Sequence, residues 1–251
     1  SEIRSFIFFD LETSGLHKSA GILQIAAKCG ESTFSEYANP SQPITPSATA
    51  ITGLRNVAGE LFLYDKRLPS IPIHEVLQKF KEWLDVFKPC ILVAHNAKFD
   101  TPRLLYALKK NSMVEDFKNI IVAFADTLVI LRKLHPQRKG PGMFKLSRLA
   151  EDLLHIEPTT KFHEASYDVD ILEKIASTIP KEKLIANSKS FTECFVHEAC
   201  LQKTAVLERS LNVFKGVISA GMIKKIASAG IDNTKIQKVY AESGRDGIVQ
   251  P

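Results

Sequence analysis

Ile7-Phe8-Phe9-Asp10-Leu11-Glu12-Thr13-Ser14-Gly15-Leu16 is the stretch on which the reading of this chain turns. It opens as a continuous apolar and aromatic run, the pattern of a strand buried on both faces. Two carboxylates then appear two positions apart, before Ser14-Gly15 signals a turn. Side chains at i and i+2 of a strand project to the same face, so Asp10 and Glu12 are expected side by side. Two like charges on one face of a central strand are unfavourable unless something positive lies between them. A hard divalent cation held by carboxylate oxygens turns that repulsion into ligation. A strand end with two solvated acids would carry the same residues, so the choice rests on what lies downstream.

The chain has 251 residues, 45% hydrophobic and 24% charged, which fits one globular domain or one and a half. A net charge of +5 suits a polyanionic partner without demanding one. Cys29, Cys90, Cys194 and Cys200 match neither a zinc signature nor a disulfide framework and are expected to be reduced. No run approaches the roughly 18 consecutive apolar residues of a membrane span. The first strand is expected within a few residues of Ser1, leaving no room for a signal peptide. These features point to an intracellular protein, cytoplasmic or nuclear, that does not enter a membrane.

Outward from the first strand, Ile22 to Cys29 and Glu31 to Tyr37 predict two further strands joined by a turn at Gly30. Pro43 to Gly59 is expected to be loop with short helical pieces, its apolar tip at Ile51 and Leu54. Val76, Leu77, Phe80, Trp83, Leu84 and Phe87 recur at helical spacing, with Trp83 read as core. Cys90 to Ala94 is a short buried strand that runs through His95-Asn96-Ala97-Lys98-Phe99-Asp100 into a helix. Asp100 thus falls at a strand-to-helix junction, where capping the helix is a second role open to it. Ile120 to Thr127 repeats the strand-to-helix pattern. Arg132, Lys133, His135, Arg138 and Lys139 then cluster in a Pro- and Gly-rich loop suited either to solvent or to phosphates. His163-Glu164-Ala165-Ser166-Tyr167-Asp168 leads into a last helix of this part, which can point His163 and Asp168 into one site. Residues 181–190 read as a linker, and 191–251 as short basic helices broken near Gly221, Gly230 and Gly244.

Asp10, Glu12, Asp100 and Asp168 each fall at a strand end or on a helix facing one, which is how an α/β sheet gathers a site along one edge. Four acids suit two metals about 4 Å apart on one phosphate, one helping to form the attacking hydroxide and the other stabilising the leaving 3′ oxygen. A histidine nearby can take the proton from water at neutral pH.

FFDLETSGL, HNAKFD and HEASYDVDIL resemble, in order, the three motifs of the DEDDh 3′→5′ exonucleases of the RNase H-like superfamily. The likeness covers residues 6 to about 176 and is similar to both the polymerase epsilon-type proofreading and the TREX-type repair enzymes. It implies an α/β fold with an RNase H-like mixed central sheet of about five strands flanked by helices. A catalytic domain over residues 1–180 would be followed by a basic helical region over 181–251 that nothing in the family covers. The resemblance further implies two Mg²⁺ ions, replaceable by Mn²⁺, on Asp10, Glu12, Asp100 and Asp168, with His163 as general base. Thr13, Leu16, Ile51, Thr52 and Asn96 would hold the terminal nucleotide, Asn96 beside the scissile phosphate. The implied reaction removes nucleoside 5′-monophosphates from a nucleic acid with a free 3′ end, single-stranded DNA before RNA. The competing class is a nuclease-like domain kept as a nucleic-acid-binding or protein-interaction module. Such a domain would have lost at least one acid, whereas here all four and the histidine are present.

Overall fold

The computed structural model describes residues 5–157, 159, 162 and 164–249. The chain divides into two compact units, residues 1–194 and 195–251. In the first, β1 (Ser5–Thr13), β2 (Ile22–Cys29) and β3 (Ser32–Tyr37) form an antiparallel meander. β7 (Cys90–Ala94) and β8 (Ile121–Asp126) lie parallel to β1 on its other side, and the two-residue β9 (Lys189–Ser190) closes the sheet antiparallel to β8. The order is β3-β2-β1-β7-β8-β9, which makes β1 a central strand. All five residues of β7 are buried, as an apolar strand covered on both faces requires.

Strand alternation assigns the two faces. Phe8, Ile91, Val93, Ala123 and Ala125 pack against α5 (Thr127–Leu134), α6 (Leu146–Leu154), α7 (Ala165–Ala176) and Leu184 of α8 (Lys181–Ala186). Phe9, Ala27 and Phe34 are in register on the opposite face. There Phe34 meets Phe80 of α2 (Ile73–Asp85) at a centroid distance of 5.1 Å, and Phe80 meets Phe117 of α4 (Val114–Lys118) at 6.0 Å. Trp83 packs among Phe34, Phe80 and Phe87 and donates to the Ser32 hydroxyl at 3.0 Å, so it belongs to the core. α3 (Ala97–Lys110) carries its buried Leu104, Leu105 and Leu108 under β7 and β8.

Two regions differ from the sequence expectation. Pro43 to Gly59, read as loop with short helical pieces, holds α1 (Pro46–Thr52) but also β4 (Leu54–Val57), which opens a separate antiparallel sheet with β5 (Glu60–Leu63) and β6 (Lys66–Arg67). Its first turn places Ala58 at φ 53° and Gly59 at φ 88°, the doubly left-handed form that normally advertises itself as Asn-Gly. Alanine in that position hid the hairpin. Residues 181–190, read as a linker, form α8 and β9. Leu184 is buried in the sheet's own cluster, and Lys189 and Ser190 pair with Phe124 and Ala123.

The boundary between the units falls within α9 (Phe191–Ser210). The second unit continues through a 3-10 turn (Leu211–Phe214), α10 (Ala220–Ser228) and α11 (Asn233–Val249). Leu211, Ile223 and Ala227 form its small core, and the Ser219 hydroxyl caps α10 by accepting from the Met222 N–H at 3.2 Å. The helix breaks expected near Gly230 and Gly244 are present, the latter as a kink at φ 56°, ψ −149°, whereas Gly221, expected at a break, lies inside α10. No helix among the described residues is long and apolar enough to cross a membrane.

The aromatic layer under β3 gives the first prediction. Phe80 is fully buried, so Phe80→Ala is expected to lower the unfolding free energy by about 3–5 kcal/mol. Val86, 76% exposed at the C-terminal cap of the same helix, should tolerate alanine within about 0.5 kcal/mol. Urea unfolding of both variants checks this, and equal midpoints would contradict the packing.

Candidate active site

The site grows from the face that β1 presents to α7. Asp10 lies in register with Ala26, and Glu12 with Gln24. Ala26 packs against Ala165 and Val169 of α7, which lays that helix across this face. Polar ties fix its height. The buried Gln24 amide donates to Ser35 at 3.1 Å and Ser166 at 3.3 Å, and Ser166 bonds Ser35 at 2.9 Å. Further along, Lys28 of β2 pairs with Asp170 and, at 3.3 Å, with Glu173, whose carboxylate also accepts from the Gly30 N–H at 2.8 Å. Asp168, in the first turn of α7, is thereby delivered to the sheet. One carboxylate oxygen from each of Asp10, Glu12 and Asp168 lies within 4.8 Å of the others.

Asp100 arrives from the neighbouring strand. β7 ends at Ala94, and Asn96 turns the chain in left-handed backbone at φ 68° to become the N-cap of α3. The Asn96 N–H donates to Asp126 at 3.0 Å, and the same oxygen caps α5 through the Leu128 N–H at 3.0 Å. Since the helix starts at Ala97, Asp100 lies in its first turn and does not cap it. Asp100 is only 2% exposed, a hydrogen bond from the Leu11 backbone reaches its carboxylate, and Oδ1 has no hydrogen-bond partner among the described residues.

Burial, followed by Asp100, Glu12 and Asp168, raises the Asp10 carboxyl well above the usual range. Burial with Asp168 and Asp100 pushes Glu12 up to about 8. Burial likewise lifts Asp100 to about 8, against the opposing pull of Arg103. A set of acids that cannot all ionise together, one of them with an orphaned buried oxygen, is the donor set a divalent cation satisfies. Every donor is a hard carboxylate oxygen, which suits Mg²⁺ or Mn²⁺ over softer ions. Asp10, Glu12 and Asp168 are the residues placed to hold it, with Asp100 adjoining.

Around the acids, Thr13 is buried and donates to the Gly15 carbonyl at 2.9 Å. Leu16 is 78% and Ile51 56% exposed. α1, which carries Ile51 and Thr52, is tied to the turn after β1 because the Thr45 N–H donates to the Ser14 carbonyl at 2.8 Å. A Cβ at Gly15 would meet Thr45 Cγ2 at 3.0 Å, so this approach favours glycine. Thr52 bonds its own helix, Oγ1 donating to the Ala48 carbonyl at 2.9 Å. Asn96 is exposed. His163 lies outside the described residues.

Part of the basic loop has a different task from the one its composition suggests. Arg138 is largely buried, donates to Asp152 at 2.6 Å and to the Met143 carbonyl at 2.8 Å, and sits over the Phe144 ring. It holds the loop together and is not free for phosphates. Lys133 is engaged with Asn187 at 2.7 Å. Sequence reading also passed over His95, whose ring bonds Thr127 at 2.9 Å and the Phe144 carbonyl at 2.7 Å. Burial lowers its pKa, keeping it a neutral strut between β7 and that loop. The only sequence signal for His95, Asp126 and Lys28 is polar residues at strand ends.

An acidic cluster at the carboxyl edge of a mixed sheet of this topology fits the nucleases of RNase H-like fold and suits a divalent metal. Comparison with known proteins agrees. The profile of the exonuclease family RNase_T matches residues 7–176, and the chain belongs to that family, with the DEDD-type acidic motifs of the RNase H-like superfamily. It is 33% identical over 176 residues to the DNA polymerase III PolC-type of Bacillus subtilis (strain 168), covering 67% of this chain and 11% of that protein. The PolC-type enzyme of Streptococcus pneumoniae (strain D39) is 30% identical over 185 residues, covering 71% of this chain and 11% of that protein. The chain thus spans about a tenth of these relatives' length. Among solved structures, cell-death related nuclease 4 shares the fold with a TM-score of 0.52, at 14% identity over 75% of this chain and 66% of that one.

The raised carboxyls make a pH prediction. Glu12 and Asp100 hold protons up to about pH 8 when folded, whereas unfolded acids release them near pH 4. Between those values the folded state binds more protons at these two sites, so the stability they contribute is full below about pH 4 and is lost as pH rises toward 8. EDTA-treated protein should lose up to roughly 1.4 kcal/mol per pH unit for each such proton. Mg²⁺ should flatten the slope, and Asp100→Asn should reduce it. Melting of the EDTA-treated protein across pH 5–8 measures this, and a flat or rising profile matched by Asp100→Asn would contradict it.

Proposed function

We propose that this exonuclease works from the 3′ end of DNA, in preference to RNA, and releases nucleoside 5′-monophosphates with two Mg²⁺ ions, for which Mn²⁺ can substitute. The observation that carries the proposal is the convergence of Asp10, Glu12 and Asp168 oxygens within 4.8 Å beside the buried, unpaired Oδ1 of Asp100. The name of the PolC-type relatives, DNA polymerases, supports DNA as the polymer. Residues 1–194, the unit that carries the whole sheet, are taken as the catalytic domain, with 195–251 a separate basic region.

Divalent cations bound by these acids supply Lewis-acid activation of water and neutralise charge on the phosphoryl oxygens. The protein's own groups supply position. Leu16 and Ile51 offer exposed apolar surface to the last base and sugar, and Thr13 and Thr52 line the same segments. Asn96, exposed at the α3 N-cap, serves the scissile phosphate. His163 accepts the proton of the attacking water as the new P–O bond forms and the bond to the 3′ oxygen breaks. The leaving 3′ oxygen then takes a proton from solvent.

Incubation with DNA and RNA oligonucleotides, labelled at either end, with Mg²⁺, Mn²⁺ or EDTA tests the proposal. Mononucleotides should appear first from the 3′ end, faster from DNA, and not in EDTA. Release from the 5′ end or internal cleavage would overturn the polarity. In the same assay His163→Ala is expected to lower kcat by roughly 10²–10⁴. An acid limb of the pH–rate profile that survives unchanged in His163→Ala would remove His163 from the role of base.

A further inference from the structure

Arg103 is one helical turn beyond Asp100 on α3, and only 3% of it is exposed. Its guanidinium lies over the Phe99 ring, 3.6 Å from the centroid, and one terminal nitrogen donates to the Phe99 carbonyl at 2.5 Å. The other terminal nitrogen donates to the carbonyl of Leu16, 87 positions away in sequence. Nε has no hydrogen-bond partner among the described residues. Burying an arginine with one donor unpaired is unfavourable, so the bond to Leu16 is made despite its surroundings.

The loop that Leu16 tops is closed at its base by its own bonds. The Ser14 N–H donates to the Gly21 carbonyl at 2.9 Å, the Gly21 N–H to the Ser14 hydroxyl at 2.9 Å, and Gln42 braces the same hydroxyl at 2.9 Å. None of these reaches the tip. The Leu16 side chain is 78% exposed and cannot anchor itself by packing. The guanidinium of Arg103 ties the tip to the layer carrying Asp100.

We propose that Arg103 is a positioning residue. By joining the Leu16 carbonyl to the helix of Asp100, it sets the separation between the apolar tip offered to the terminal nucleotide and the carboxylates that act on its phosphate. This rests on the exonuclease reading above. A planar fork suits the task, because two nitrogens in fixed geometry reach carbonyls from two segments while the face stacks on Phe99. A lysine, with one nitrogen, keeps the charge but not the bridge.

A double-mutant cycle on the full chain tests the proposal. Leu16→Ala, Arg103→Met and the double variant are compared for kcat/KM on a 3′-labelled single-stranded DNA oligonucleotide with saturating Mg²⁺. Each single substitution should lower kcat/KM by roughly 10- to 100-fold, the effect of a small misplacement of the reacting groups. The double variant should match Leu16→Ala within about twofold, since both changes act through one contact. Losses that multiply would mean Arg103 acts elsewhere, and would overturn the proposal. Arg103→Lys should behave as Arg103→Met and carries the cycle if the methionine variant does not fold; full activity in Arg103→Lys would also overturn it. Hydrogen exchange gives a readout independent of catalysis. Amides of the loop tip, residues 16–19, should exchange about tenfold faster in Arg103→Lys while β1 and the base amides of Ser14 and Gly21 stay protected. If the wild-type protein hydrolyses no nucleic acid, the exonuclease reading falls and the exchange comparison still decides the clamp. Unchanged exchange removes the clamp even in an active enzyme.

Discussion

The structure depends on four carboxylates brought together where they repel one another. Asp10 and Glu12 are held on one face by the alternation of β1, and Asp100 and Asp168 arrive on separate helices. Folding places Asp10, Glu12 and Asp100 in surroundings that favour the neutral form. That arrangement disfavours the folded state above the normal titration range of acids, and it persists because the surrounding contacts over-determine it. Much of the polar hydrogen bonding near the sheet serves this end. Lys28 with Asp170 and Glu173, and Gln24 with Ser35 and Ser166, pin α7. Asp126 and His95 pin the turn into α3.

The division of labour between the sheet faces follows from this. The face under α2 and α4 is an aromatic core centred on Phe34, Phe80 and Phe117, and α3 beside it contributes Asp100 to the site from its first turn. The face under α7 is apolar near Phe8 and becomes acidic toward the carboxyl end of β1, so one strand supplies both core and site. Parallel pairing of β1 with β7 and β8 brings those carboxyl ends to one edge, the place where α/β sheets carry function.

How much was legible in the sequence follows from the range of each interaction. The run from Ile7 to Glu12 reads directly as a central strand with an acidic end, because its signal is a period of two within one segment. The five main strands and the helices after β7 and β8 were readable for the same reason. The hairpin of β4 and β5 was not, because Ala58 stands where asparagine would mark the left-handed turn. β9 was not, because two residues pairing with β8 have no period to detect. Asp10, Glu12, Asp100 and Asp168 stood out as acids at strand ends and helix starts. Arg103 did not, since a basic residue inside an amphipathic helix is ordinarily solvent-facing, and its bond to the returning Leu16 carbonyl has no signal within one segment. The basic loop misled in the opposite sense: Arg138 looks free in sequence and is a buried tie to Asp152.

The most direct measurement of the central claim, that these acids exist to bind divalent cations, is calorimetric titration of the EDTA-stripped protein with Mn²⁺ in buffers of different ionisation enthalpy. Glu12 and Asp100 hold protons to about pH 8, so ligation at pH 7 must displace them. Binding should release one or more protons at pH 7, release fewer at pH 9, and vanish in Asp10→Asn. Binding without proton release at pH 7, or unchanged binding in Asp10→Asn, would mean the cluster is not a metal site.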